Sequence, residues 1–230
     1  MVPLLKHSLS LTPPRSFAGW NHPAATETSR LKRYEFFKRV MDIGFCLAAL
    51  PFVLPIIALC GLVLWIEDPG PIFFLQQRTG RGGRRFRMYK LRTMLKNAEE
   101  LKEQYRHLNE LTWPDFKISD DPRVTRVGRI LRKTSLDELP QLLNVLKGEM
   151  SLVGPRPTSF DASTYSLWHT ERLEVTPGIT GLWQVSGRSD LEFDDRLRLD
   201  IEYIRRRSLW FDLVLTFRTI GAVIFPKGAY

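Results

Sequence analysis

Only two cysteines occur in 230 residues, Cys46 and Cys60, and both lie inside the one long apolar stretch of the chain. That excludes a disulfide framework and a cysteine zinc site, and leaves both as small apolar fillers. Histidine is nearly as scarce: His7, His22, His107 and His169 have no second ligand at metal spacing, so each is assigned to the surface or to packing. The glycines form neither a Rossmann nor a P-loop pattern. Internal repeats and low-complexity tracts are absent. The first residues, with Pro3, Pro13 and Pro14, lack a compact apolar run before a small-residue cleavage site, so they do not read as a secretory signal.

Acidic charge is in short supply. There are 34 Lys+Arg against 25 Asp+Glu, a formal charge of +9. Nucleic acid, anionic lipid and a nucleotide diphosphate all suit that balance, so charge alone selects none of them. With 43% hydrophobic content the chain can bury one sizeable core, which gives one domain plus an anchor.

The anchor is the apolar stretch. From Ile43 to Ile66 there is no charged side chain, enough for about 36 Å of helix at ~1.5 Å per residue. Pro51 and Pro55 interrupt it, each removing a backbone donor. Lys32, Arg33, Lys38 and Arg39 precede it, and Arg78, Arg81, Arg84, Arg85 and Arg87 follow it after Glu67 and Asp68. Positive charge marks the cytoplasmic side, so both ends belong on the same face. A re-entrant helix bent at the prolines satisfies this, and a tilted span with Met1 to Arg39 outside is the alternative.

Pro71 to Gln77, the glycine-bearing Arg78 to Gly83, and Arg84 to Met94 predict a β-hairpin. Between Arg78 and Arg92 stand seven basic side chains and no acidic one, suited to lipid headgroups or a diphosphate, or to a solvated strand face. Lys90 and Arg92, on one strand face, are candidates for reaching an active site. Leu95 to Glu110 has the spacing of an amphipathic helix. Asp190 to Arg207 reads as a charged helix, and Leu209 to Ile220 as an amphipathic segment that either packs on the core or lies in a membrane interface.

The pair Asp137-Glu138, in Thr134-Ser135-Leu136-Asp137-Glu138-Leu139-Pro140, lies shortly before Ser151-Leu152-Val153-Gly154-Pro155-Arg156-Pro157. A carboxylate pair in so basic a chain fits a site for an anionic substrate. A purely structural reading also exists. Ser135 and Glu138 have capping-box spacing before a helix with the stripe Leu139, Leu142, Leu143 and Leu146, running to Gly148. Pro140 favours a start at Asp137, where the proline falls harmlessly in the first turn. There the helix dipole and nearby Arg132 are expected to keep Asp137 ionised, as a nucleophile requires.

The chain resembles the small monotopic phosphoglycosyl transferases, bacterial sugar transferases that load the first sugar phosphate of a surface glycan onto a polyprenyl phosphate. The matching stretches are Lys38 to Asp42, Tyr89 to Met94, Ser135 to Met150, Ser151 to Pro157, and Thr176 to Arg188. The resemblance covers about Lys38 to Gly221 in family order. It implies an α/β monotopic membrane protein: a proline-broken re-entrant helix and a compact, irregular, helix-rich cytoplasmic catalytic domain with a small β-hairpin. The divisions expected are a flexible basic extension at 1–35, the membrane helix at 36–68, the catalytic domain at 69–224, and a tail at 225–230. Leu54 precedes Pro55 where the family has a Ser-Pro dipeptide, and Pro51 is an additional bend.

The same resemblance implies that Asp137 attacks the β-phosphate of a UDP-sugar, releases UMP and carries the phosphosugar until undecaprenyl phosphate takes it. Glu138 corresponds to the family's second essential carboxylate. Lys90, Arg92, Arg132, Arg156 and Arg188 fit phosphate or nucleotide contacts, with Gln184 and Trp183 as weaker candidates, and Mg²⁺ bound with Asp137 would offset the repulsion between two anions. The bacterial inner membrane, with catalysis on its cytoplasmic face, is the expected location. The initiating step of exopolysaccharide, capsule, O-antigen or glycoprotein glycan synthesis is the expected role, with no nucleic-acid partner and a homo-oligomer left open. The competing class is a membrane-anchored basic protein that holds nucleic acid or anionic lipid without turnover, a reading that gives Asp137-Glu138 no task.

Overall fold

The structure, a computed structural model, describes residues 25–110, 118, 120–165, 167–186 and 192–224. A long helix α1, Ala25–Glu67, carries the apolar stretch. Its helical assignment runs through Pro51 and Pro55, although each proline leaves the carbonyl four residues earlier without its usual donor. Among the described residues this is the one helix long and apolar enough to cross a membrane. One stripe of α1 faces the rest of the chain: Cys46, Ala49 and Val53 join one core cluster, and Ile57, Cys60 and Leu64 join a second. The opposite side leaves Phe45, Phe52, Leu59 and Ile66 exposed.

Both ends of α1 are tied to the same body. Near its start, Tyr34 and Lys38 donate to Asp212 at 2.8 Å each, Arg39 donates to the Val145 and Leu146 carbonyls, and Asp42 accepts from Ser151 Oγ and Leu152 N. At its end, Glu67 accepts from the Arg126 and Val127 amides, supplying a carboxylate where a helix N-terminus has free donors.

The hairpin forms where alternation and the glycine turn predict it. Strand β1, Phe73–Thr79, pairs antiparallel with β2, Arg85–Leu91, from Phe73↔Leu91 to Thr79↔Arg85. Gly82 and Gly83 take the positive φ that the turn between them requires. The β2 residues Phe86 and Met88 point into the core and put Lys90 on the same face. Leu95 to Leu108 winds as turns and a short 3₁₀ stretch rather than the expected α-helix. Leu95 and Leu108 stay 38% and 40% exposed, so that apolar stripe gains little of the burial that stabilises a helix.

Helix α2, Arg126–Thr134, is capped by Thr125 Oγ1 accepting from Gly128 N at 2.9 Å. It ends at Ser135, whose left-handed φ of 57° turns the chain. The helix expected to run from Asp137 to Gly148 is split: Leu136–Gln141 is a 3₁₀ turn containing Pro140, and α3 is only Leu142–Lys147. Then β3, Ser151–Val153, lies parallel to β4, Gly178–Thr180. Gly154 makes their close approach possible, since a Cβ there would sit 2.6 Å from the Thr176 carbonyl oxygen. Helix α4 is Leu182–Ser186, α5 is Phe193–Arg206, and α6 is Leu209–Ile224. Helix α6 faces both ways: Asp212 and Leu215 are fully buried, whereas Trp210 and Phe217 are 74% and 69% exposed.

Candidate active site

Three segments converge on the carboxylate pair: the end of β2, the 3₁₀ turn after Ser135, and the loop after β3. Lys90 Nζ donates to Glu138 Oε1 at 2.9 Å. Arg156 donates through Nη1 to Glu138 Oε2 at 3.2 Å and through Nη2 to Oε1. Burial alone would raise the Glu138 carboxyl, but the charges of Arg156 and Lys90 outweigh it and hold the group well below the usual carboxylate range. Glu138 is therefore a fixed anion that aligns two cations.

Asp137 is the opposite case. It is 7% exposed, yet none of the hydrogen bonds or ion pairs among the described residues involves its carboxylate. Burial pushes its pKa above the ordinary value; Lys90 opposes that, Glu138 adds to it, and Arg132 and Arg156 oppose it. A capping role is not what this position does, because it is the second residue of a six-residue 3₁₀ turn and its carboxylate accepts no backbone N–H among the described residues. The helix-dipole argument for its ionisation falls with the split helix, and its countercharge comes from Lys90, Arg132 and Arg156 instead. An acceptor-only group held beside cations without a partner is arranged to meet something that is not protein.

The remaining sequence candidates take different places. Arg132 Nε donates to Thr93 Oγ1 at 2.8 Å; burial lowers its pKa, and Asp137 acts in the opposite sense. Gln184 Nε2 donates to the Ile179 carbonyl at 3.2 Å, the same oxygen that Arg156 Nη1 reaches at 3.4 Å, which puts Gln184 on the flank of the site. Trp183 lies under the Arg196 guanidinium, 5.5 Å from its ring centre. Arg92 is turned elsewhere: its Nη1 meets Asp68 Oδ2 at 3.0 Å and its Nη2 the Asp68 carbonyl, fastening the hairpin to the end of α1. Arg188 lies outside the described residues.

Sequence reasoning did not single out three further contributors, Arg78, Arg172 and Gln141. Arg78 donates to Gln76 Oε1 at 2.6 Å and to the Pro157 carbonyl at 3.3 Å. Burial first, then the charge of Arg156, lower it to about 10. Its alternation with Gln76 on one strand face was the available signal. Arg172 Nη2 donates to the Arg156 carbonyl at 2.5 Å and to buried Asp200 at 2.7 Å, bracing the loop from behind. Gln141, fully buried one turn beyond Asp137, leaves both side-chain amide atoms without a partner among the described residues. Such long-range contacts leave no periodic trace in a sequence.

This arrangement has relatives. Residues 33–226 match the bacterial sugar transferase family. An undecaprenyl-phosphate galactose phosphotransferase of Salmonella typhimurium is 44% identical over 203 residues, 85% of this chain and 42% of the relative. A UDP-glucose:undecaprenyl-phosphate glucose-1-phosphate transferase of Caulobacter vibrioides is 43% identical over 205 residues, 84% of this chain and 72% of the relative. The exopolysaccharide production protein ExoY of Rhizobium meliloti is 40% identical over 198 residues, 84% of this chain and 88% of the relative. The chain thus spans less than half of the Salmonella protein and most of ExoY. With the family match covering most of its length, the chain belongs to the bacterial sugar transferase family.

Proposed function

We propose that the protein transfers a sugar 1-phosphate from a UDP-sugar to undecaprenyl phosphate through a covalent intermediate on Asp137. The observation that carries this reading is the contrast within one dipeptide. Glu138 is saturated by Lys90 and Arg156, whereas Asp137 is buried, without a hydrogen-bond or ion-pair partner among the described residues, and within the field of three cations. A nucleophilic carboxylate needs that freedom, and an incoming diphosphate needs those cations. The names of the Salmonella and Caulobacter relatives supply the substrate classes.

In the first step an Asp137 oxygen attacks the β-phosphorus. The acyl phosphate bond forms as the bond from that phosphorus to the bridging oxygen breaks, and UMP leaves with the electron pair. In the second step a phosphate oxygen of the polyprenyl phosphate attacks the same phosphorus, displaces the carboxylate and leaves a lipid diphosphate sugar. Lys90 and Arg156, aligned by Glu138, face the charge that develops on the phosphoryl oxygens, and Arg132 adds a third cation. Glu138, kept ionised, acts by position and charge.

The described residues contain no cluster of three or more metal-ligating side chains. A Mg²⁺ ion arriving with the diphosphate would be held by Asp137 as its one carboxylate among the described residues, because the Glu138 oxygens are occupied. Such an ion would supply charge neutralisation.

We place the apolar stretch of α1 in the membrane as a re-entrant element. A full crossing from Ile43 to Ile66 would put Asp42 and Glu67 on opposite faces, yet both hydrogen-bond to one body. The exposed apolar side of α1, Phe73 to Leu75 on β1, and Trp210 and Phe217 on α6 give that body an apolar margin suited to a bilayer interface. The basic flanks favour the cytoplasmic face of the inner membrane.

The test is UMP release from a panel of UDP-sugars by protein held in detergent or nanodiscs with undecaprenyl phosphate and Mg²⁺. Release with one donor and its loss in Asp137→Asn are expected. No release with any donor, or an unaffected mutant, would sink the transferase reading and favour a binding protein.

A further inference from the structure

A cavity of about 240 Å³ lies between the start of α1, the turn after α3 and the end of α5, and shares no lining residue with the carboxylate site. Four cations and two carboxylates line it. Lys38 is matched by Asp212 and Arg81 by Glu35. The oxygens of Asp42 are taken by Ser151 and Leu152. Two cations remain without a carboxylate among the described residues. Arg39 donates only to main-chain carbonyls at the end of α3. Arg207 has Nε and Nη1 buried with no acceptor among the described residues. Buried guanidinium donors are rarely left so, and a cavity with surplus positive charge and open donors selects an anion.

The position says which anion. Tyr34 to Asp42 immediately precede the apolar stretch of α1, and the neighbouring Phe36, Phe37 and Val40 are 64%, 50% and 54% exposed. On the other wall, Arg207 stands three residues before Trp210, itself 74% exposed. A phosphate seated at Arg207 and Arg39 would have apolar side chains on both flanks for acyl chains.

We propose that this cavity binds the phosphate of an anionic phospholipid and thereby seats the start of α1 and the α5–α6 junction at the membrane surface. The inference rests on the membrane reading of α1.

The experiment uses the full chain in dodecyl maltoside micelles, titrated separately with phosphatidylglycerol, phosphatidylcholine and inorganic phosphate. Melting temperature and lipid retained in native mass spectrometry are read together. Phosphatidylglycerol is expected to raise the melting temperature and remain bound, and Arg207→Gln to weaken that response about tenfold, the loss of one charge-assisted hydrogen bond. Arg205→Gln, an exposed neighbour outside the cavity, is expected to behave as wild type. Equal responses to phosphatidylglycerol and phosphatidylcholine, a response to inorganic phosphate that matches the lipid, or an Arg207→Gln protein that responds as wild type would each overturn the assignment. The wild-type comparison of lipids decides the matter even if the variant fails to fold. Carbonate-resistant sedimentation with membranes is scored beside it. Loss of sedimentation refutes the membrane reading, whereas a sedimenting protein indifferent to phosphatidylglycerol refutes only the cavity assignment.

Discussion

Replacing Glu138 with glutamine distinguishes alignment from proton transfer. The side chain keeps its size and one carbonyl acceptor but loses the charge that Lys90 and Arg156 share. Losing about half of three charge-assisted bonds of ~1.5–3 kcal/mol each gives roughly 3 kcal/mol, or on the order of a hundredfold in kcat/KM. The pH profile carries the sharper prediction. The Asp137 pKa is raised, so the ionised carboxylate that the proposed nucleophile requires is present above that raised pKa and lost as pH falls through it, at a pH above the ordinary aspartate value. Glu138 is held well below that range and contributes no limb near neutrality. In Glu138→Gln the acid limb therefore persists. It moves to lower pH, because the like charge of Glu138 that helps to raise Asp137 has gone. UMP release measured across the acid range reads both the rate loss and the direction of that move. A limb that vanishes in the mutant, with a loss of several orders of magnitude, would show Glu138 to be the proton carrier and refute this reasoning.

Asp137→Asn should reduce turnover by about 10⁴-fold or more, while its melting temperature at neutral pH stays level or rises, because a buried charge with no hydrogen-bond partner among the described residues is removed. Asp200, pushed up to about 6 by burial against the pull of Arg172, contributes stability that is full below the ordinary carboxylate value and lost as pH rises through about 6. Asp200→Asn should abolish that slope in denaturant titrations. It should also cost about 3 kcal/mol by stranding the Arg172 charge. Gly128→Ala should destabilise by about 2–3 kcal/mol in the same assay, since its Cβ would collide with the Thr93 carbonyl, next to the hydroxyl that orients Arg132.

The hairpin could be read from the sequence because strand alternation and a glycine turn are local signals. The carboxylate pair was legible through the family resemblance and not through composition, since Glu67-Asp68, Glu99-Glu100, Asp120-Asp121 and Asp194-Asp195 are adjacent acids too, and its contacts were not legible at all. Only the fold shows that Lys90 and Arg156 both choose Glu138 and that Asp137 takes no partner among the described residues. The break between residues 136–141 and α3 was hidden because Leu139, Leu142, Leu143 and Leu146 keep helical spacing across it, while Ser135 and Pro140 set a tighter turn. The β3–β4 pair escaped because each strand has three residues, too few for any periodicity. Arg92 looked equivalent to Lys90 by alternation, and only its contact with Asp68, just past the end of α1, separates them.

The most direct test of Asp137 as the carrier of the phosphosugar is mass spectrometry of the protein after incubation with its UDP-sugar in the absence of undecaprenyl phosphate. The account predicts one added sugar phosphate on the peptide containing Asp137, formed with UMP and discharged when undecaprenyl phosphate is supplied. UMP released catalytically with no adduct, or an adduct on another residue that survives in Asp137→Asn, would contradict it.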